Sequence, residues 1–81
     1  MQPSTLVPEV VSEKLALTVN GVVRTVPAGF TIADLLVSLE LDARTVVIER
    51  NGTILRDKSA FTSLALSADD ALEIVHFVGG G

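Results

Sequence analysis

The stretch LALTVNGVVRTV, residues 15–26, decides the fold of this chain. Two runs of apolar and β-branched residues flank the dipeptide Asn20-Gly21. Both positions of a tight hairpin turn require positive φ, and Asn-Gly adopts this conformation more easily than most dipeptides. The stretch therefore predicts two antiparallel strands joined by a two-residue turn.

The two strands of this hairpin differ in pattern. Apolar residues alternate with small or polar ones along the first strand, which gives it a clear inner face at Leu15, Leu17 and Val19. In the second strand, a two-residue turn sets Arg24 beside Leu17. Either Arg24 extends its charged end past the edge of a sheet, or a bulge shifts the register.

The segment PAGFTIADLLVSLEL, residues 27–41, carries the signals of a helix. Thr31 is a favourable N-cap, and Asp34 three residues later is close to a capping-box arrangement. Apolar residues recur with helical spacing at Ile32, Leu35, Leu36 and Leu39. A helix of about two to three turns is not stable alone, so we predict that its apolar stripe packs on a sheet.

The rest of the chain predicts three more strands. The run VVI at residues 46–48 and the dipeptide Asn51-Gly52 indicate a second hairpin, whose returning strand covers residues 53–55. An irregular crossover with buried anchors at Phe61, Leu64 and Leu66 leads to a last strand at residues 71–78. This order predicts an α+β fold of the β-grasp, or ubiquitin-like, type: a mixed sheet of about five strands with one main helix packed on one face.

Length and composition indicate a single small domain. The 81 residues are 48% apolar and 20% charged, which is typical of a soluble globular protein. We predict a flexible arm at residues 1–14, a β-grasp domain at residues 15–78 and a flexible glycine tail at residues 79–81. No stretch resembles a secretory signal or a membrane span, so we expect a cytoplasmic protein with no membrane partner.

The residues offer little enzyme machinery. There is no cysteine, and His76 is the single histidine, so the chain has no cysteine–histidine pair and no thiolate metal site. No glycine-rich phosphate loop opens the helix, and Asp69 and Asp70 are predicted to form a turn. The net charge of −4 and six scattered basic residues argue against nucleic acid. We therefore predict no catalytic residue, and no metal or cofactor bound by the chain itself.

One reactive group is found in the final segment, HFVGGG. The carboxylate of Gly81 is a poor electrophile, but adenylation by another enzyme would make it a good one. A sulfur donor would then give a thiocarboxylate, whereas an amine or a thiol would give an amide or a thioester. Glycine has no Cβ, so Gly79, Gly80 and Gly81 can enter a channel too narrow for side chains. The alternative is an inert glycine end.

The motifs NGVVRTVPAGFTIADLL, VVIERNG and LEIVHFVGGG resemble the ThiS family, the sulfur carrier proteins of thiamine biosynthesis. The resemblance covers residues 15–81 and departs from the family at Asp69, where the family usually has glycine. It implies that an E1-like adenylyltransferase uses ATP and magnesium to adenylate Gly81. It also implies that a cysteine desulfurase or another persulfide donor supplies the sulfur, and that thiazole synthase accepts it. The chain would be a carrier and not an enzyme.

The resemblance to ubiquitin-like proteins also predicts a docking surface. If the terminal glycines coincide with those of ubiquitin, Leu72 and Ile74 point to the helix, and Val75 and Phe77 lie on the open face of the sheet. We expect Val75, Phe77 and Val78 to contact the partner enzymes, unless the crossover covers them. The alternative functions are sulfur carriage for molybdopterin or cysteine synthesis, conjugation to other proteins, and a β-grasp interaction module without carrier activity.

Overall fold

The computed structural model describes residues 13–77. Within this range the chain forms one α-helix and five strands, in the order β1 Lys14–Val19, β2 Val22–Pro27, α1 Ile32–Ser38, β3 Val46–Arg50, β4 Thr53–Ile54 and β5 Ala71–His76. Short 3₁₀ turns precede β3 at Ala43–Thr45 and follow β4 at Lys58–Ala60. None of the helices in this range is long and apolar enough to cross a membrane.

The five strands form one mixed sheet in the order β2-β1-β5-β3-β4. β5 lies at the centre, parallel to β1 and antiparallel to β3, while the hairpins β1–β2 and β3–β4 are both antiparallel. α1 packs on one face of this sheet, and its buried residues join those of the strands in one core. The architecture confirms the predicted β-grasp fold, in which the strand that precedes the glycines has a neighbour on each side.

The first hairpin confirms the prediction from Asn20-Gly21. Asn20 and Gly21 have φ values of 50° and 81°, the positive values that a two-residue turn between right-twisted strands requires. The register runs without interruption along β1 and β2, so Arg24 pairs with Leu17. Arg24 is exposed on β2, which is an outer strand of the sheet. Arg24 therefore lies at the edge of the sheet, which was the first of the two alternatives, and the hairpin contains no bulge.

α1 begins at the predicted cap. The Thr31 hydroxyl accepts a hydrogen bond from the Asp34 N–H at 3.1 Å, and the Asp34 carboxylate accepts one from the Thr31 N–H at 2.9 Å. This capping box satisfies backbone donors that have no partner within the helix. The helix ends at Ser38, and Glu40 adopts a left-handed φ of 60° as the chain turns away. The predicted apolar stripe faces the sheet, with Ile32, Leu35 and Leu36 buried and Leu39 half-buried.

The crossover between β4 and β5 enters the core through the predicted anchors. Phe61 and Leu66 are buried, and Leu64 is half-buried. The backbone of this segment also bonds to the start of α1. The Ile32 N–H donates to the Leu64 carbonyl, and the Leu66 N–H donates to the Phe30 carbonyl, at 2.9 and 2.8 Å. These bonds hold the crossover on the side of the sheet that α1 occupies.

Strand pairing begins one residue before the predicted domain boundary at residue 15. Lys14, which the sequence analysis assigned to the arm, is the first residue of β1 and pairs with Pro27. The Glu13 carbonyl also accepts a hydrogen bond from the Ala28 N–H at 3.0 Å, because the β2 strand and the turn after it run beside this segment. Residues 1–12 of the predicted arm and residues 78–81 lie outside the described part of the chain.

Candidate functional site

β5 is the element that connects the folded domain to the predicted glycine tail. It is hydrogen-bonded to β1 on one side and to β3 on the other. The Phe77 N–H extends the pairing beyond β5, with a 2.8 Å bond to the Thr45 carbonyl. The predicted modification site Gly81, the tail residues Gly79 and Gly80, and Val78 of the predicted docking set lie outside the described residues. The described part of the candidate site consists of β5 and the surface around it.

The two faces of β5 differ in burial. Leu72 and Ile74 point to the α1 side of the sheet and are 1% and 8% exposed. Val75 and Phe77 point to the opposite, open face and are 56% and 55% exposed. The crossover leaves this face accessible, because its backbone bonds hold it on the α1 side. Two large apolar side chains thus lie in water beside the end of the central strand.

Neighbouring strands extend this apolar surface. Val47 of β3 is half-buried and pairs directly with Val75. Ile54 of β4 is 41% exposed and pairs with Glu49, which lies on the same face as Val47. Val47 and Ile54 were not predicted as site residues. For Val47, the alternation of side chains along β3 could have predicted the exposed face, because its neighbours Val46 and Ile48 are buried on the other face. We call the set of Val75, Phe77, Val47 and Ile54 the open-face patch.

Two carboxylates oppose each other on the open face. Glu49 of β3 pairs directly with Glu73 of β5. Like charges in a direct cross-strand pair destabilise a sheet by a small amount. The pair adjoins the open-face patch, because Glu49 also pairs with Ile54. It therefore gives this part of the open face a negative charge.

Asn20 ties the first hairpin turn to β5. Its side-chain amide donates to the Ile74 carbonyl at 3.2 Å and accepts from the Ile74 N–H at 2.7 Å. Its backbone N–H donates to the Leu72 carbonyl at 2.8 Å. The Asn20 amide therefore continues the pairing of β1 with β5 after the β1 backbone turns away into β2.

Asn51 makes the equivalent tie from the second hairpin turn. Its side-chain oxygen accepts from the Ala71 N–H, and its backbone N–H donates to the Ala71 carbonyl, both at 2.8 Å. The sequence predicted both Asn-Gly dipeptides as turns but did not predict these contacts. The asparagine in each turn could have suggested them, because a side-chain amide can both donate and accept hydrogen bonds. β5 is thus held near its start by one turn and further along by the other.

A buried carboxylate fixes the turn that enters β5. Asp70 accepts hydrogen bonds from the Ser67 N–H and the Asn51 amide at 2.8 and 3.0 Å, and it forms an ion pair with Arg50 at 2.7 Å. Burial raises the pKa of Asp70, but the hydrogen bonds and the charge of Arg50 outweigh it, so the pKa lies below its ordinary value. Asp69 has a φ of 68°, at the position where the resemblance implies glycine. Both aspartates are turn residues, as predicted.

The other candidate groups lie away from the open-face patch. His76 is the last residue of β5 and pairs with Val46, so its side chain points to the α1 side of the sheet. Within residues 13–77, no three His, Asp or Glu side chains group closely enough to hold a metal ion. The Asp42–Arg44 ion pair is exposed in the turn before β3, where the hydrogen bonds from Arg44 lower the pKa of Asp42 to about 2.

Known proteins are similar to this chain in sequence and in fold. The ThiS family model matches residues 17–81. The sulfur carrier protein ThiS of Bacillus subtilis is 47% identical over 51 residues, which cover 63% of this chain and 76% of that protein. A crystal structure of the thiamine biosynthesis protein ThiS from Geobacter metallireducens has a TM-score of 0.68 and 36% identity. The match covers 83% of this chain and 100% of that one.

Two proteins named thiazole synthase also match. The one from Paramagnetospirillum magneticum is 42% identical over 67 residues, and the one from Magnetococcus marinus is 33% identical over 67 residues. In both cases the match covers 83% of this chain but 20% of the relative. This chain therefore spans about a fifth of the length of these two proteins, and each of them contains a similar segment within a longer polypeptide.

Proposed function

Because the chain belongs to the ThiS family, the sulfur carriers of thiamine biosynthesis, we propose that the carboxylate of Gly81 is adenylated, converted to a thiocarboxylate and used as the sulfur donor for thiazole formation. The protein is a carrier and not a catalyst in itself. The observation that carries the proposal is the central position of β5, which precedes Gly79–Gly81 by only two residues. A strand paired on both sides is a rigid base from which three glycines can reach about 10 Å into a partner.

The chemistry begins with activation, because a carboxylate is a poor electrophile. Adenylation forms a mixed anhydride between the Gly81 carboxyl group and AMP, and pyrophosphate leaves. The terminal sulfur of a persulfide then attacks the carbonyl carbon, and AMP leaves. Cleavage of the sulfur–sulfur bond by a thiol releases the thiocarboxylate. Once the sulfur has passed to the acceptor, with water supplying the oxygen, Gly81 is again a carboxylate.

Three partners are assigned to this cycle. An E1-like adenylyltransferase uses ATP and magnesium, and a cysteine desulfurase or another persulfide donor supplies the sulfur. Thiazole synthase is the acceptor. The two thiazole synthases that contain a segment similar to this chain support that assignment, because joining two proteins in one polypeptide favours their joint action. The reducing cytoplasm suits a chain that has no cysteine.

The open-face patch is the proposed docking surface, chiefly through Val75 and Phe77. Val78, which precedes the tail in the sequence, is proposed to contact the partner enzymes as well. Ordering a glycine tail in a narrow channel costs conformational entropy, and glycines offer few contacts in return. The affinity for a partner must therefore come from a folded surface near the tail. Val75 and Phe77 supply exposed apolar area in that position.

Mass spectrometry of the C-terminal peptide tests the proposal. The protein is incubated with the E1-like enzyme, ATP, magnesium, a persulfide donor and a thiol that cleaves the sulfur–sulfur bond. We expect the peptide to become heavier by the mass difference between sulfur and oxygen, with the change confined to Gly81. A variant that lacks Gly81 is the control and should show no such change.

Other products would point to the alternative functions. An amide between Gly81 and other proteins would indicate conjugation. If Gly81 did not change in the complete reaction, the protein would be a β-grasp interaction module without carrier activity. Transfer of the sulfur to an enzyme of molybdopterin or cysteine synthesis, and not to thiazole synthase, would assign the carrier to another pathway.

A further inference from the structure

A depression lies at the β3–β4 edge of the open face. It has a volume of about 370 Å³ and is lined by Val47, Ile54, Leu55, Arg56 and Lys58. Val47 and Ile54 belong to the open-face patch, so the depression is continuous with the surface that we propose for docking. Its floor is aliphatic, and both of its charged side chains are cationic. We call it the edge pocket.

Neither cation of the edge pocket forms an ion pair among residues 13–77, although the charge of Lys58 contributes to the lowered pKa of Asp42. The ion pairs in that range are Arg44–Asp42 and Arg50–Asp70. Asp57 lies between Arg56 and Lys58 in the sequence, but its carboxylate accepts hydrogen bonds from the Ser59 backbone and hydroxyl. An aliphatic floor beside two cations that are outside any ion pair suits an apolar side chain with a carboxylate next to it, since a charge-assisted hydrogen bond between a cation and a carboxylate is a strong one.

Opposite charge lies elsewhere on the same face. Glu49 and Glu73 oppose each other across β3 and β5, and Glu49 is also paired with Ile54 of the edge pocket. A partner that covers the open-face patch would therefore meet an acidic pair and a pair of cations a short distance apart. A partner with complementary charges could meet the acidic pair and the two cations at the same time in one orientation only. This arrangement would therefore contribute to the specificity of binding.

We propose that the edge pocket is a recognition site for thiazole synthase, where it takes an apolar side chain of that enzyme with a neighbouring acidic residue. This inference rests on the proposed function, which makes thiazole synthase the acceptor of the sulfur. That enzyme is favoured as the occupant because two proteins of that name contain a segment similar to this chain. The pocket also extends the docking surface that begins beside the tail, because Val47 pairs with Val75.

The test compares Arg56→Glu with Lys14→Glu in titrations of the full-length protein against purified thiazole synthase. Both substitutions change the net charge equally, and both positions are exposed, but Lys14 begins β1 and does not line the pocket. We expect Arg56→Glu to raise the Kd about 5- to 20-fold at low salt, with a smaller difference at high salt. Lys14→Glu should change the Kd by less than about 2-fold.

Phe77→Asp, measured in the same titrations, separates a failure of this inference from a failure of the docking surface. Weak binding of Phe77→Asp with unchanged binding of Arg56→Glu would overturn the edge pocket and keep the docking surface. Unchanged binding of both variants would reject the whole open-face patch for this partner, and the inference with it. If Arg56→Glu weakened only the binding of the adenylyltransferase, the assignment to thiazole synthase would be wrong. The sulfur-dependent mass change at Gly81 of the wild-type protein tests carriage itself and is measured independently of these titrations.

Discussion

On one face of β5, Leu72 and Ile74 are 1% and 8% exposed, whereas on the other face Val75, and Phe77 directly after the strand, are both more than half exposed. All four side chains are apolar, so composition alone does not separate the two faces. What separates them is the position of α1 and of the crossover, which cover one side of the sheet. The comparison indicates that one face of the central strand holds the domain together and that the other is available to partners.

The largest expected effect is the loss of a helix-side residue. Leu72→Ala removes a buried side chain from the centre of the core and should lower the free energy of unfolding by about 2 to 5 kcal/mol. Val75→Ala, at the next position after Ile74 but on the open face, is the matched control and should lower it by less than about 1 kcal/mol. Urea unfolding of both variants measures the difference. Equal losses in the two variants would contradict the division of β5 into two roles.

A substitution on the open face should weaken binding and leave stability nearly unchanged. Phe77→Asp places a charge in the middle of the proposed docking surface, so we expect binding to the E1-like enzyme to weaken about 10- to 100-fold. Phe77 is exposed in the free protein, so the midpoint of thermal unfolding should change little. Calorimetric titration and a thermal melt of the same sample test both halves of this prediction. Unchanged affinity would remove Phe77 from the docking surface.

The smallest effect should come from Asp70, which lies in the turn before β5 and on neither face of the strand. Its pKa in the folded state lies below the ordinary value of 3.8. The stability that its ionised form contributes is therefore complete above that value and is lost as the pH falls through it and through the folded pKa. Asp70→Asn does not titrate, so its unfolding midpoint should fall less than that of the wild type on acidification. An equally steep fall in both proteins would show that another group is responsible.

Local signals in the sequence were enough to predict most of the fold. Each Asn-Gly dipeptide predicted a hairpin turn, and Thr31 with Asp34 predicted the start of the helix, because the groups that form turns and caps are close in sequence. The open-face positions of Val75 and Phe77 came from the resemblance to ubiquitin-like proteins, which set the register of the last strand. For Arg24 the sequence allowed either an edge position or a bulge, since the register depends on the whole hairpin.

The contacts between distant residues could not be predicted in this way. Asn20 and Ile74 are 54 residues apart, and they meet only because β5 inserts between β1 and β3. Asp70 and Arg50 form a pair for the same reason, and the edge pocket forms where β4 returns beside β3. No local pattern specifies which strands become neighbours, so these features of the site required the structure.

The central claim is that β5 presents the carboxylate of Gly81 to an activating enzyme, and one added glycine after Gly81 tests it most directly. The added residue leaves the domain and the docking surface unchanged but moves the carboxylate along the tail. We predict that thiocarboxylate formation and sulfur transfer are abolished, while the thermal unfolding midpoint and the affinity for the E1-like enzyme match those of the wild type. Sulfur transfer at the wild-type rate by the extended protein would contradict the account.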